Sequence, residues 1–146
     1  MVRRISHLVD MVDSVEAAKG DCCGGGRSAG RAVPGQVPCG GNTGLADTLK
    51  NGAGGSAGPR PHELLEAALA SCMTISARMA LDERGLADVK VSVSVTLERA
   101  DAETRFRYDL VLDPPVDERH HKAVAERIAR SPVRETLSKS LSFEPV

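Results

Sequence analysis

The pattern of apolar and polar residues predicts one long helix in the second half of the chain. The segment ELLEAALASCMTISARM spans residues 63–79, and its apolar or small positions recur in steps of four and three, as on one face of a helix. Because further small and apolar residues widen this face, we expect a central helix that is surrounded on several sides. Gly85 is the expected stop. The face comprises Leu65, Leu69, Cys72, Ser76 and Met79, widened by Ala68, Ile75 and Ala80.

Two segments after this helix alternate strictly between apolar and polar residues. VKVSVSVTL (89–97) and TRFRYDLVL (104–112) therefore predict an antiparallel hairpin with one buried and one solvated face. Asp117 is expected to cap a helix that ends near Arg130, and Ser131 with Pro132 to begin a further short helix. SLSFEPV (140–146) is expected to be a last strand. Helices and antiparallel strands segregated in this way indicate an α+β fold.

The first half of the chain has a different composition. Residues 1–20 are expected to form a short amphipathic helix. Of the 14 glycines, all except Gly85 lie between residues 20 and 58, a stretch that offers at best one or two short, proline-limited strands. GAGGSAG (52–58) lacks the Lys-Ser/Thr of a phosphate-binding loop, so a flexible or tightly turning loop is expected there. The length of 146 residues favours a single domain over residues 1–146.

Charge and hydropathy narrow the classes of partner. The chain has 19 Lys and Arg against 20 Asp and Glu, with no basic stripe, so nucleic acid is not an expected partner. No run approaches the roughly 18 apolar residues of a membrane span, and the N-terminus does not resemble a signal peptide. The cytoplasm is therefore the expected compartment, where cysteines are more often free, catalytic or metal-bound than paired. Cys22, Cys23 and Cys39 form no CxxC pair, so a metal site is not expected.

Cys72 has two interpretations from its position alone. A free cysteine in the middle of a helix is most often a small core residue, and a buried thiol is inert unless a cation lies beside it. Arg78 is six residues further on and off the Cys72 face, so a cation would have to come from another part of the molecule. Periodicity alone favours packing.

Three sequence motifs favour a functional role for Cys72 over core packing. GG-x-x-G-P-x-P-x-E-L-L, A-x-x-S-C around Cys72 and S-P-V-x-x-T-L, with the hairpin between the last two, resemble the OsmC/Ohr family of osmotically inducible and organic-hydroperoxide-resistance proteins. The resemblance covers residues 54–146, whereas residues 1–53 match weakly. It implies an interwoven homodimer in which long central helices pack on antiparallel sheets, with two active sites at the subunit interface.

The resemblance also implies a chemistry. Family members reduce organic hydroperoxides with a cysteine that falls on Cys72, and a second cysteine then closes a disulfide that dithiol reductants reopen, without a bound cofactor. In this chain the second position is Ser131, which cannot form a disulfide and marks an OsmC-like branch without that cysteine. Cys22, Cys23 or Cys39 could replace it if the N-terminal segment folds over the site.

Two further site residues follow from the resemblance. The acidic helper is Glu63, which lies nine residues before Cys72 and can act only from before the regular helix or across the dimer interface. The hydroperoxide-resistance branch has its acid one position earlier, where this chain has His62, and takes an arginine from a GGR motif, which here is Arg27, with Arg31 nearby. Two functions are therefore open. One is a thiol-dependent peroxidase that uses Cys72. The other is a non-catalytic dimer of the same fold that binds a small apolar molecule or senses oxidants.

Overall fold

The computed structural model describes residues 34–145, and these fall into two compact units that divide between Leu64 and Leu65. The described part contains two antiparallel hairpins and three helices, which confirms the predicted α+β class. In chain order the elements are β1 (Gly35–Cys39), β2 (Asn42–Ala46), α1 (Pro61–Asp82), β3 (Lys90–Arg99), β4 (Thr104–Asp113), α2 (Glu118–Ile128) and α3 (Pro132–Leu137).

The first unit contains the β1–β2 hairpin. Its register runs from the pair Gly35 and Ala46 to the pair Cys39 and Asn42, next to the turn. Both strands have five residues and are mostly exposed, in agreement with the expectation of short, proline-limited strands in this region. The helix predicted over residues 1–20 lies outside the described residues.

The glycine-rich segment after β2 turns tightly around the carboxylate of Asp47, which is only 5% exposed. Its Oδ1 accepts hydrogen bonds from the backbone N–H of Thr48 at 2.8 Å and of Gly55 at 3.0 Å, and its Oδ2 accepts one from Ala57 at 3.0 Å. Gly54 has a φ of 92°, and a Cβ there would lie 2.0 Å from the Thr48 carbonyl oxygen. Of the two expectations for this loop, the tight turn is the one observed.

The second unit has a hydrophobic core between α1, the β3–β4 hairpin and α2. In the hairpin register Val91 faces Leu112, Val93 faces Leu110, Val95 faces Tyr108 and Leu97 faces Phe106, so the predicted inward residues of both strands pair with one another. Burying this shared face stabilises the hairpin, since each fully buried aliphatic side chain contributes about 1.5–3 kcal/mol. The buried core consists of Leu69, Met73, Ala77, Ala80, Leu81, Val89, Val91, Val93, Leu112, Val124 and Ile128.

The buried face of α1 is rotated from the predicted one. Met73 is fully buried although the predicted stripe omitted it, and Leu65 and Met79, which the stripe included, are exposed. Nearly all of the helix circumference is apolar or small, so periodicity could not choose between adjacent faces. α1 is also long and apolar enough to cross a membrane by length and composition, a match that the sequence analysis did not anticipate. The same composition serves a core helix, and one face of α1 is buried in the core.

The helix boundaries agree with the predicted ones. Asp117 caps α2 by accepting the backbone N–H of His120 at 2.8 Å. After α1 ends, Gly85 adopts a positive φ of 71° three residues further on. Ser131 is the N-cap of α3, but its side chain makes no capping hydrogen bond.

The predicted last strand is wrong for residues 141–145. These residues form no strand, and Phe143 is 90% exposed. A strand is stabilised by a ladder of hydrogen bonds to a neighbour, and no described strand pairs with this segment.

Candidate functional site

Cys72 lies near the middle of α1 and is half-buried. It does not belong to the buried core cluster, in contrast to its neighbour Met73. Cys72 therefore lies outside the buried core of its own chain, and part of the residue is accessible to solvent.

The face of α1 that carries Cys72 is apolar and largely exposed. We call it the Cys72 face and define it as Leu65, Ala68, Cys72, Ile75 and Met79. Ile75 is 61% exposed, and Leu65 and Met79 are also exposed. These positions recur in steps of three and four, which is the spacing of a seam between two packed helices. A contiguous exposed apolar stripe of this kind marks an interaction surface.

Glu63 lies in the first turn of α1, where it binds Arg60. Its Oε2 accepts the backbone N–H of Arg60 at 2.8 Å, and its Oε1 accepts the Nε of the same residue at 2.8 Å. The backbone hydrogen bond from Arg60 is the main cause that lowers the pKa of Glu63 below its usual range, with further contributions from the guanidinium. A glutamate at the third helical position that binds the N–H of the residue before the helix is half of a capping box. Glu63 thus has a structural role at the N-terminus of α1, as its position in the first turn of the helix predicts.

Ser131 occupies the position of the expected second cysteine and is fully buried. Its Oγ makes no hydrogen bond with any described residue, so it is not bonded to the Cys72 sulfur. A buried hydroxyl without a partner is uncommon in folded proteins. A buried hydroxyl therefore stands where the resemblance implies a second thiol.

The remaining predicted site residues come from the N-terminal part of the chain. Arg27 lies outside the described residues, as do Arg31, Cys22 and Cys23. Cys39 is a free, exposed thiol at the end of β1. Among residues 34–145, no three His, Cys, Asp or Glu side chains are grouped as metal ligands.

Two carboxylates with defined contacts were missed by the sequence analysis. Glu66 of α1 accepts the backbone N–H of Leu97 at the open edge of β3, at 2.7 Å. An acidic residue within an otherwise apolar helix was the available signal for this contact. For Asp47 the signal was an aspartate before a glycine-rich turn, where such side chains bind nearby backbone N–H groups.

A cavity of about 220 Å³ lies in the second unit, between α1, β4 and α3. Cys72 is not among its lining residues, so the cavity is separate from the thiol. The lining consists of Leu69, Met73, Thr104, Phe106, Tyr108, Arg134, Leu137 and Ser138.

Comparisons with known proteins agree with the motifs. The family model of OsmC-like proteins matches residues 52–145. A solved structure from Psychrobacter arcticus 273-4, named as an osmotic stress induced and detoxification response protein, superposes with a TM-score of 0.54 at 17% identity and covers 73% of this chain and 88% of that one. At this identity the likeness shows a shared fold. No curated protein matches the sequence. Since the family model covers more than half of the chain, this protein belongs to the OsmC-like family.

Proposed function

We propose that this protein is a thiol-dependent reductase of organic hydroperoxides in oxidative-stress defence, with Cys72 as the attacking thiolate. The observation that carries the proposal is the position of Cys72, the cysteine of a family motif, outside the core of its own chain. Within the OsmC-like match, the cysteine of the A-x-x-S-C motif is half-buried on an exposed face and does not belong to the core. A thiol kept for packing would be expected inside the core cluster.

The proposed first step is a displacement at oxygen. The Cys72 thiolate attacks the terminal peroxide oxygen, the O–O bond breaks, and the alkoxide leaves and takes a proton to become the alcohol. Cysteine is thereby oxidised to a sulfenic acid and the hydroperoxide is reduced. A nearby cation stabilises a cysteine thiolate, and Arg27 is proposed to supply that charge.

Regeneration then needs thiols from outside the site. One thiol of a dithiol reductant condenses with the sulfenic acid, releases water and forms a mixed disulfide. The second thiol of the reductant displaces Cys72, which returns as a thiol while the reductant leaves as a disulfide. Because Ser131 has no sulfur, no internal disulfide with that position interrupts this cycle. Because Glu63 lies within α1, its carboxylate is proposed to assist proton movement across the dimer interface, for which it would have to exchange its contact with Arg60.

We also propose a homodimer in which the Cys72 face of α1 is covered by a second copy. Exposed leucine, isoleucine and methionine side chains at helix-seam spacing favour this arrangement. The long helix would then be central in the assembly, interwoven as in the family. Sedimentation should give a dimer for the wild type, and Ile75→Lys should shift it to monomer. A folded wild-type monomer at micromolar concentration would refute the dimer.

A non-catalytic role is the second candidate, and Ser131 favours it. A fully buried serine at the second redox position removes the internal disulfide of the peroxidase cycle. The protein would then bind a small apolar molecule or sense oxidants through Cys72 as a dimer. For either function we propose the cytoplasm as the compartment.

The deciding experiment is mass spectrometry of the protein after treatment with one equivalent of cumene hydroperoxide, with dimedone to trap sulfenic acid. We expect one dimedone adduct on the Cys72 peptide and steady peroxide consumption with a dithiol. Cys39→Ser is the matched control for the adduct, because it removes another free thiol and should leave the adduct on the Cys72 peptide in place. A Cys72 that stays unmodified would refute the enzyme.

Ser131→Cys tests the position of the second thiol. If this residue corresponds to the family's second cysteine, peroxide treatment of the variant should produce a disulfide between Cys72 and the introduced thiol. Pro132 still presets the first turn of α3, so the backbone should accept the change. Non-reducing peptide mapping measures the bond. Its absence in a variant whose Cys72 still reacts with dimedone would show that the two positions are not adjacent.

A further inference from the structure

We propose that the cavity between α1, β4 and α3 is a binding site for a small aliphatic carboxylate, of the size of a medium-chain alkanoate. This site lies apart from Cys72 and does not depend on the proposed peroxidase chemistry. The proposal rests on the residues that line the cavity, on the lack of an ion-pair partner for Arg134 among the described residues, and on the volume of the cavity.

The apolar part of the lining suits a hydrocarbon chain. Leu69 and Met73 come from α1, Phe106 from β4 and Leu137 from α3, so three elements supply apolar surface to one space. Met73 is fully buried, and Phe106 and Leu137 pack against the core cluster. Ligand sites typically combine such surfaces with a few polar groups that fix the orientation of the ligand.

The polar part of the lining favours an anion. Arg134 is the one charged residue among the lining residues, and no carboxylate lies beside it there. Its guanidinium makes no hydrogen bond or ion pair with any residue of the described range 34–145. The other polar lining residues are Thr104, Tyr108 and Ser138, and each carries a hydroxyl group. A guanidinium presents two parallel N–H donors in the geometry that a carboxylate accepts.

The volume of the cavity limits the length of the ligand's hydrocarbon chain. A cavity of 150 Å³ lined by aliphatic and aromatic side chains is enough to hold benzene. At about 220 Å³ this cavity has half as much space again. The expected ligand is therefore an alkanoate of roughly six to eight carbons, with its carboxylate at Arg134 and its tail against Met73.

Tyr108 provides a direct reporter for the test. It is the only tyrosine, the chain has no tryptophan, and Tyr108 lines the cavity. Titration of the full-length protein with octanoate should therefore change the tyrosine fluorescence with saturation. The neutral probe 1-octanol has the same tail without the charge, and it should bind more weakly.

The matched variants separate charge recognition from apolar binding. Arg134→Gln should weaken octanoate binding by about tenfold or more and leave 1-octanol binding unchanged, since a hydrogen-bonded charge is lost for one ligand only. Arg130→Gln removes an exposed arginine outside the cavity and should change neither. Cys72→Ser should keep octanoate binding even though the proposed peroxide consumption is lost. Equal octanoate affinity in wild type and Arg134→Gln, or no saturable signal below the onset of micelle formation, would overturn the site.

Discussion

Ser131→Ala tests whether the buried hydroxyl of Ser131, at the position of the family's second cysteine, destabilises the fold. The Ser131 side chain is fully buried, and its Oγ has no partner among the described residues. It also makes no capping hydrogen bond, although it stands at the N-cap of α3. The usual loss of stability when a capping serine becomes alanine therefore does not apply here.

The magnitude follows from the desolvation of the hydroxyl. An unsatisfied buried hydroxyl costs about 1–3 kcal/mol in folded proteins, and alanine removes that cost. The loss of the oxygen also removes some packing contacts, each worth about 0.1–0.2 kcal/mol. We expect the free energy of unfolding to rise by about 1 kcal/mol, which corresponds to an increase in Tm of roughly 3 °C for a chain of this size.

Asp117→Ala is the matched comparison, because it changes the N-cap of the preceding helix. Asp117 does accept the backbone N–H of His120, at 2.8 Å, so its removal should lower stability. Urea and thermal unfolding of both variants should therefore give changes of opposite sign. If Ser131→Ala lost stability as Asp117→Ala does, the Ser131 hydroxyl would have to be partnered, and the reasoning would be refuted.

Three further predictions concern other contacts of the fold. Glu66→Ala should lower the free energy of unfolding by about 1–3 kcal/mol, because the partly buried backbone N–H of Leu97 loses its acceptor. Denaturant unfolding measures this change. As a control, Glu126→Ala removes an exposed glutamate and should change the free energy of unfolding by no more than about 0.5 kcal/mol. Gly58→Ala should lower the free energy of unfolding by about 1–3 kcal/mol in the same measurement, since the new Cβ would lie 2.3 Å from the Leu45 carbonyl oxygen. Gly44→Ala is the control, because a Cβ at Gly44 has open space around it and should not clash. Hydrogen bonds from the backbone hold the pKa of Asp47 below its usual 3.8. The ionised carboxylate should therefore stabilise the fold at neutral pH, and this stabilisation should be lost as the pH falls below about 4. In Asp47→Asn the dependence of Tm on pH should become flatter, and an unchanged dependence would contradict this role of Asp47.

Alternation made the β3–β4 hairpin predictable from sequence. In a strand the side chains alternate strictly between two faces, so a shift of one residue would expose every valine of β3. The observed register places the predicted inward residues opposite one another, as at Val93 and Leu110. The caps at Asp117 and Gly85 were predictable for a similar reason, since each depends on local backbone geometry.

The predictions that failed depend on contacts distant in sequence. The buried face of α1 is set by the hairpin and by α2, and a helix that is apolar on nearly all sides carries no information about which face they cover. The segment around Phe143 has the composition of a strand but no described neighbouring strand to pair with. The bond from Glu66 to Leu97 joins residues 31 positions apart, so no local pattern contains it.

The location of Cys72 was predictable from the motif, but its reactivity depends on what covers its helix face. One side of α1 is buried by its own hairpin and by α2, and that side includes Met73. The other side carries Cys72 between Ala68 and Ile75 and remains exposed. In the proposed dimer the second copy would cover the exposed apolar residues beside Cys72, so the surroundings of the thiol would be completed only on assembly. This ties the proposed chemistry to the dimer.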